Sequence, residues 1–210
     1  MSEIQVIKRD GIKEPLDLEK MHKVVMFACE DIAGVSASEV ELKSHIQFYD
    51  GIKSEEIQET LIKAAADLIS EETPNYQWVA GNLVNYHLRK MVYNDFNPWP
   101  IYKIIKKNVE LGFYDSALLE DYTEEEWNEI NDFIKHDRDF NIAYVGMEQF
   151  RGKYLAQNRV TGKHFETPQI TYALISATLF SQYPKETRLK YVKDYYDAVS
   201  NFDISLPTPV

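Results

Sequence analysis

A chain of 210 residues with 44% hydrophobic side chains is long enough for a substantial core in one large or two small domains, which excludes a disordered chain. Its formal net charge of −11 disfavours non-specific attraction to nucleic acid or anionic membrane, while leaving room for a local basic pocket. Cys29 is the only cysteine, which excludes an internal disulfide, a multi-cysteine zinc ribbon and a dithiol redox pair. No apolar run approaches a membrane span and the start MSEIQVIKRD lacks a signal core, so a cytoplasmic protein is expected.

Ile4 to Ile7 and Ile12 to Leu16 flank Asp10-Gly11, a dipeptide suited to a tight turn, and predict a hairpin. Asp17 is the expected N-cap of a first helix, in which Leu18, Met21, Val25, Ala28 and Ile32 share a face and which Gly34 closes. Ser36 to Glu39 fit a capping box for a second helix carrying Val40 and Leu42 toward Ile46 and Phe48. Ser54 is expected to cap a third, with Ile57, Leu61, Ala65, Leu68 and Ile69 as its stripe and Glu55 and Glu56 at its positive end. A fourth, from about Tyr76 to Val92, carries Val79, Leu83, Tyr86, His87 and Lys90 on one face.

Asn97-Pro98-Trp99-Pro100 cannot lie inside a helix and sets the expected domain boundary, giving domains of residues 1–95 and 96–210. Beyond it, helices are predicted over Ile101 to Leu111, closed by Gly112, and over Glu124 to His136, with a Thr123/Glu126 capping box and Trp127, Ile130, Phe133 and Ile134 facing inward. Tyr154 to Val160 and Lys163 to Glu166 predict strands around Thr161-Gly162. Thr167-Pro168 opens an apolar helix through Phe180, and Lys185 to Val199 forms another before the extended tail from Ile204 to Val210.

In so acidic a protein the grouped cations carry information, and Lys8, Arg9, Lys20 and Lys90 are placed to converge. Phosphate oxygens are satisfied by lysine, by the arginine fork and by helix-start N–H groups such as those near Ser54. Glu14 offers an acceptor for an exocyclic amino group, and His87 suits either a phosphate or packing. From spacing alone, exposed lysines on a helical domain are ordinary, and no P-loop or dinucleotide fingerprint is present. Met21, Phe27, Trp78 and Trp127 read as core, and Cys29 as an inert buried thiol.

The strings VIKRDGIKEPLDLEKMH, VELKSHIQFYDGIKSEEI, KAAADLIS, YHLRKMVY, LLEDYTEEEW, GKYLAQNRVTG, FSQYPKETRLKYVKDYYDAVS and ISLPTPV together resemble the large subunit of the class I, aerobic ribonucleoside-diphosphate reductases of enterobacteria and their phages. The resemblance runs over essentially the whole chain. It implies a mainly α fold: an ATP-cone, that is a four-helix bundle capped by a small β-sheet, then a helical region with a β-hairpin leading to the first strand of a catalytic barrel that lies beyond this chain. It also implies binding of ATP or dATP with Mg2+ as allosteric effectors. The family's nucleotide contacts fall on Lys8, on the segment Glu14, Pro15, Leu16, Asp17, Leu18, Glu19 and Lys20, on Ser54 and on Lys90, with Arg9 and His87 at neighbouring positions. Backbone around Thr208 corresponds to a substrate-diphosphate contact.

Relatives carry Asp and His where this chain has Glu56 and Gln58, positions linked to telling dATP from ATP. A neutral amide weakens a phosphate contact that a charged imidazole makes, so loss of dATP inhibition is expected. The chain has no candidate for the thiyl radical or the disulfide pair and is expected to be inactive alone, as an excised fragment or as one piece of a split subunit. The implied partners are the remainder of the large subunit, a second large subunit and a radical-generating small subunit. Among competing readings, a cone-containing transcriptional regulator needs a four-cysteine ribbon that Cys29 alone cannot supply, and a ligand-free helical interaction module predicts no nucleotide affinity. An anaerobic reductase relative would lack YPKETRLKYVKDYYDAVS and SLPTPV.

Overall fold

The computed structural model describes residues 4–45 and 47–205, organised as two compact units. The first comprises residues up to His87 together with Phe140–Gln149, and the second comprises Leu88–Asp139 and the chain from Phe150 onward.

In the first unit, strands β1 (Gln5–Ile7) and β2 (Lys13–Pro15) form the expected hairpin, with Val6 opposite Glu14 and Ile7 opposite Lys13. Gly11 supplies the turn at φ +84° and Asp10 Oδ1 accepts from the Ile12 N–H at 3.0 Å. A third strand, β3 (Ile52–Lys53), pairs in parallel with β1, Val6 opposite Ile52 and Ile7 opposite Lys53. Asp50-Gly51 sets this up: the Gln5 N–H donates to Asp50 Oδ1 and the Gly51 N–H to the Gln5 carbonyl, both at 2.9 Å.

Helices α1 (Leu18–Cys29), α2 (Ala37–His45), α3 (Ser54–Ala66) and α4 (Tyr76–Tyr93) follow. Asp17 caps α1 as expected, accepting the Lys20 N–H at 2.9 Å, but the helix ends at Cys29 with Glu30 at the cap. The left-handed residue next to that end is Asp31, at φ +58°, so Gly34 does not close the helix. Met21, Val25 and Ala28 are buried while Leu18 is exposed. Glu39 in α2 accepts from the Tyr76 hydroxyl, Leu42 is exposed, and Ile46 lies outside the described residues. The stripe of α3 is buried at Ile57, Leu61 and Ala65; the helix stops at Ala66, leaving Leu68 half-buried and Ile69 exposed. The short helix α8 (Tyr144–Gln149) buries Met147 in this unit, beyond what periodicity predicted.

The second unit gathers α5 (Ile101–Glu110), α6 (Ala117–Asp121), α7 (Glu124–Phe133), α9 (Pro168–Phe180) and α10 (Lys185–Ser200) around a core that includes Trp127, Ile130, Ile170, Val192 and Tyr196. The Thr123/Glu126 capping box forms with bonds of 3.3 and 2.9 Å. The helix it opens ends at Phe133, because a 3-10 turn takes over at His136–Asn141. The expected strands shrink to β4 (Gln157–Asn158) and β5 (Lys163–His164): a π-helical turn at Phe150–Tyr154 takes Tyr154, and Asn158 Oδ1 accepts from the Val160 and Thr161 N–H groups to end β4 in a turn. Arg188 is nearly fully buried: it grips both Glu126 carboxylate oxygens at 2.8 and 2.6 Å and also donates to the Asp121 and Ser181 carbonyls. Ile204 and Ser205 are exposed and outside any strand, while residues 206–210 of the predicted barrel strand, with Thr208, lie outside the described residues.

Candidate functional site

β1 and β3 end side by side at Ile7 and Lys53, so Lys8 and Ser54 leave two neighbouring parallel strands in the same direction. Ser54 is the first residue of α3 rather than its cap; Lys53 occupies the cap position. There the Lys53 N–H donates to Glu56 Oε2 at 2.9 Å, so the helix start is satisfied by the carboxylate one turn on and the Ser54 hydroxyl is not committed to capping.

The candidate cations in this unit are each met by a carboxylate. Lys8 Nζ lies 3.1 Å from Glu14 across the hairpin, and Arg9 Nε lies 3.2 Å from Glu55 at the start of α3. Lys20 Nζ lies 3.6 Å from Asp17 within the first turn of α1. His87 is buried on α4, with Nε2 3.3 Å from Glu59 on α3. Among the described residues of this unit, α3 and α4 leave several buried polar atoms without a partner: Oε1 of Gln58, Oδ1 of Asn82, both amide atoms of Asn85 and Nδ1 of His87. Such groups are costly unless something pairs with them.

Hairpin and α3 are thus joined by the Arg9–Glu55 pair, and α3 and α4 by the Glu59–His87 pair. Pro15 ends β2 and Leu16 is held by its N–H to the Ile4 carbonyl at 2.9 Å; Leu18 and Glu19 are exposed in the first turn of α1. Lys90 is half-buried in the last turn of α4, in the portion that belongs to the second unit.

Glu56 is held below the ordinary carboxylate range, first by the Lys53 N–H and then by the Tyr49 hydroxyl, which donates at 3.0 Å. Asp17 is lowered chiefly by the Lys20 N–H. Both stay ionised at neutral pH. Sequence reasoning did not identify Tyr49, Glu55 or Glu59 as partners in the site. The spacing of Glu55 and Glu59 at i and i+4 was the available signal, because it puts both on the α3 face that meets Arg9 and His87. Among the described residues no group of three or more His, Cys, Asp or Glu side chains is arranged to hold a metal ion. Nor is any helix long and apolar enough to cross a membrane.

The model of the ATP cone domain matches residues 4–91, and that of the ribonucleotide reductase all-alpha domain matches residues 140–210. The chain is 56% identical to ribonucleoside-diphosphate reductase 1 subunit alpha of Escherichia coli over 98% of its own length. It is 54% identical to the subunit alpha of Haemophilus influenzae over 99%, and 40% identical to that of enterobacteria phage T4 over 100%. It spans 27% of the length of the two bacterial subunits and 28% of the phage subunit, matching their N-terminal part.

Proposed function

Since the chain belongs to the ribonucleotide reductase large subunits, carrying their ATP cone and all-alpha domains, we propose that residues 1–95 bind an adenine nucleotide and regulate ribonucleoside-diphosphate reduction. The observation that carries this reading is the cation set Lys8, Arg9 and Lys20, each paired with an acidic neighbour, together with buried His87, whose Nε2 lies 3.3 Å from Glu59 and whose Nδ1 has no partner. A triphosphate supplies the anions that exchange with Glu14, Glu55, Asp17 and Glu59, and Mg2+ arriving with it offsets the charge those carboxylates keep. Ser54 and Lys90 add a hydroxyl donor and a further cation, and the segment Glu14, Pro15, Leu16, Asp17, Leu18 faces the base.

Gln58 carries the regulatory consequence. As a neutral amide it makes a weaker phosphate contact than a protonated imidazole, and Glu56 beside it is already engaged by Lys53 and Tyr49. ATP and dATP then bind without the differential that drives inhibition, because an effector shifts an equilibrium only by its unequal affinity for two states. The partners on this reading are the remainder of the large subunit with its barrel and the Thr208 substrate contact, a second large subunit, and a radical-generating small subunit.

Calorimetric titration of the chain with ATP, dATP and GTP in magnesium buffer tests this. Saturable, near-equal binding of ATP and dATP that Lys8→Ala and Lys90→Ala together abolish is the expected result. Absence of adenine-nucleotide binding by the folded chain would overturn it.

A further inference from the structure

A second concave site lies within the second unit. It is lined by the end of α4 (Val92, Tyr93), by Trp99, by one face of α5 and by β5 with Lys163, His164 and Phe165. Its walls are apolar and aromatic, and its polar groups are basic or neutral. Lys103 and Lys107, one turn apart on α5, both lie over the Trp99 ring, their Nζ atoms 3.9 and 4.6 Å from its centroid. Lys107 and Lys163 line the same pocket. Among the described residues none of these three exposed lysines forms an ion pair, whereas Lys8, Arg9, Lys20, Arg188 and Lys193 all do.

Two ammonium groups repel each other, so stacking both on one indole works against their separation. The ring quadrupole offsets part of that repulsion and holds the lysines at the pocket's edge, which reduces the ordering cost a ligand meets. His164 supplies an independent observation. Its side chain is 6% exposed, its Nε2 contacts the Arg151 carbonyl at 2.7 Å, and its Nδ1 is buried with no partner. A carbonyl only accepts, so Nε2 donates there and Nδ1 is left without a partner. A hydrogen phosphate satisfies both halves of this arrangement, since its O–H donates to an imidazole nitrogen while its charged oxygens meet ammonium groups.

We propose that this pocket is a binding site for a tetrahedral oxyanion, a phosphate held by Lys107 and Lys163 with Lys103 beside them and His164 at the floor. Its lining shares no residue with the nucleotide site proposed above, although Lys90 of that site and Val92 of this one both lie on α4. The phosphate is either free or the terminal group of a small organic ligand whose remainder lies outside the pocket beside Trp99.

The experiment follows the Trp99 indole N–H by heteronuclear NMR while the chain is titrated with inorganic phosphate, pyrophosphate and AMP in parallel. A Lys8→Ala variant is run beside the unchanged chain, so that events at the cone do not enter the reading. A saturable Trp99 shift is expected, with affinity falling roughly tenfold for Lys107→Ala and again for Lys163→Ala, the size of a lost charge-assisted hydrogen bond. Both lysines are exposed, so truncation leaves the core and the melting temperature unchanged. His164→Gln, which keeps a polar floor, weakens phosphate less than either lysine variant. Tighter AMP than phosphate binding assigns the oxyanion to an organic ligand, and equal binding to a free ion. No Trp99 shift with any of the three probes, or a shift that survives both lysine substitutions, overturns the site.

Discussion

Gly81 sits in the interior of α4, where replacement by alanine ordinarily stabilises a helix by about 1 kcal/mol through reduced backbone freedom. Here the opposite is expected. A Cβ at residue 81 would lie 2.5 Å from the Ile142 carbonyl oxygen and 3.1 Å from both the Ala143 carbonyl carbon and the Tyr144 nitrogen. All three are main-chain atoms, so no rotamer change relieves the contact, and the segment leading into α8 must move. Overpacking of this kind costs roughly 1–3 kcal/mol. A clash with main chain falls at the upper end, so after the propensity gain Gly81→Ala is destabilising by about 1–2 kcal/mol. Urea unfolding followed by circular dichroism measures this, with Gly152→Ala as the comparison, because nothing lies within 4 Å of a Cβ there. A Gly81→Ala chain as stable as the parent would refute the reasoning and mean that the segment at 142–144 does not close on α4.

Three further outcomes are expected. Arg188→Ala strands the Glu126 carboxylate and two carbonyls in a buried place and costs about 3–5 kcal/mol in the same assay, whereas Lys193→Ala, losing only an exposed pair to Asp197, costs under about 1 kcal/mol. Burial, followed by the charge of Glu41, pushes the Cys29 thiol up to about 11, so iodoacetamide should modify the folded chain roughly a hundredfold more slowly at pH 8 than the unfolded chain. Burial likewise raises Asp139 to about 7 against the pull of Arg89; the folded state therefore holds a proton there that the unfolded state releases near 4, and this contribution to stability is lost as pH rises from 4 to 7. The stability of Asp139→Asn relative to the parent should accordingly improve across that interval, and a flat or declining difference would show that Asp139 is charged throughout.

Signals that act within a few residues of backbone survived folding in this chain, and features that need a distant partner were not legible. Asp17, Thr123 with Glu126, Thr167-Pro168 and the Asp10-Gly11 turn were readable because each acts through its own backbone neighbours. The two-residue strand β3 was invisible, since it exists only because β1 offers a free edge 45 residues earlier in the chain. Ser54 was misplaced by one position for a related reason: a serine beside Glu55 and Glu56 reads as a cap, yet Glu56 reaches back to the Lys53 N–H and performs that task itself. The π-helical turn takes only Tyr154 from the predicted strand, and β4 stops at Asn158 because its side-chain Oδ1 accepts from the Val160 and Thr161 N–H groups and turns the chain.

The same limit applies to the candidate site. Sequence exposes the cations but not their counterions, and it is the counterions that set the energetics of the proposed binding. If Lys8, Arg9 and Lys20 were bare, phosphate would gain their full attraction; with Glu14, Glu55 and Asp17 within 3.1 to 3.6 Å, the gain is the difference between two ion pairs. Lys8, Glu14, Arg9, Glu55 and Lys20 are partly to mostly exposed, so each existing pair is worth little and exchange is cheap. Buried His87 is the exception. Its Nδ1 has no partner, so a ligand that supplies one removes a penalty rather than trading one contact for another. On the proposed reading, nucleotide affinity therefore combines cheap exchange at the surface cations with a contact at His87 Nδ1 that displaces no existing partner.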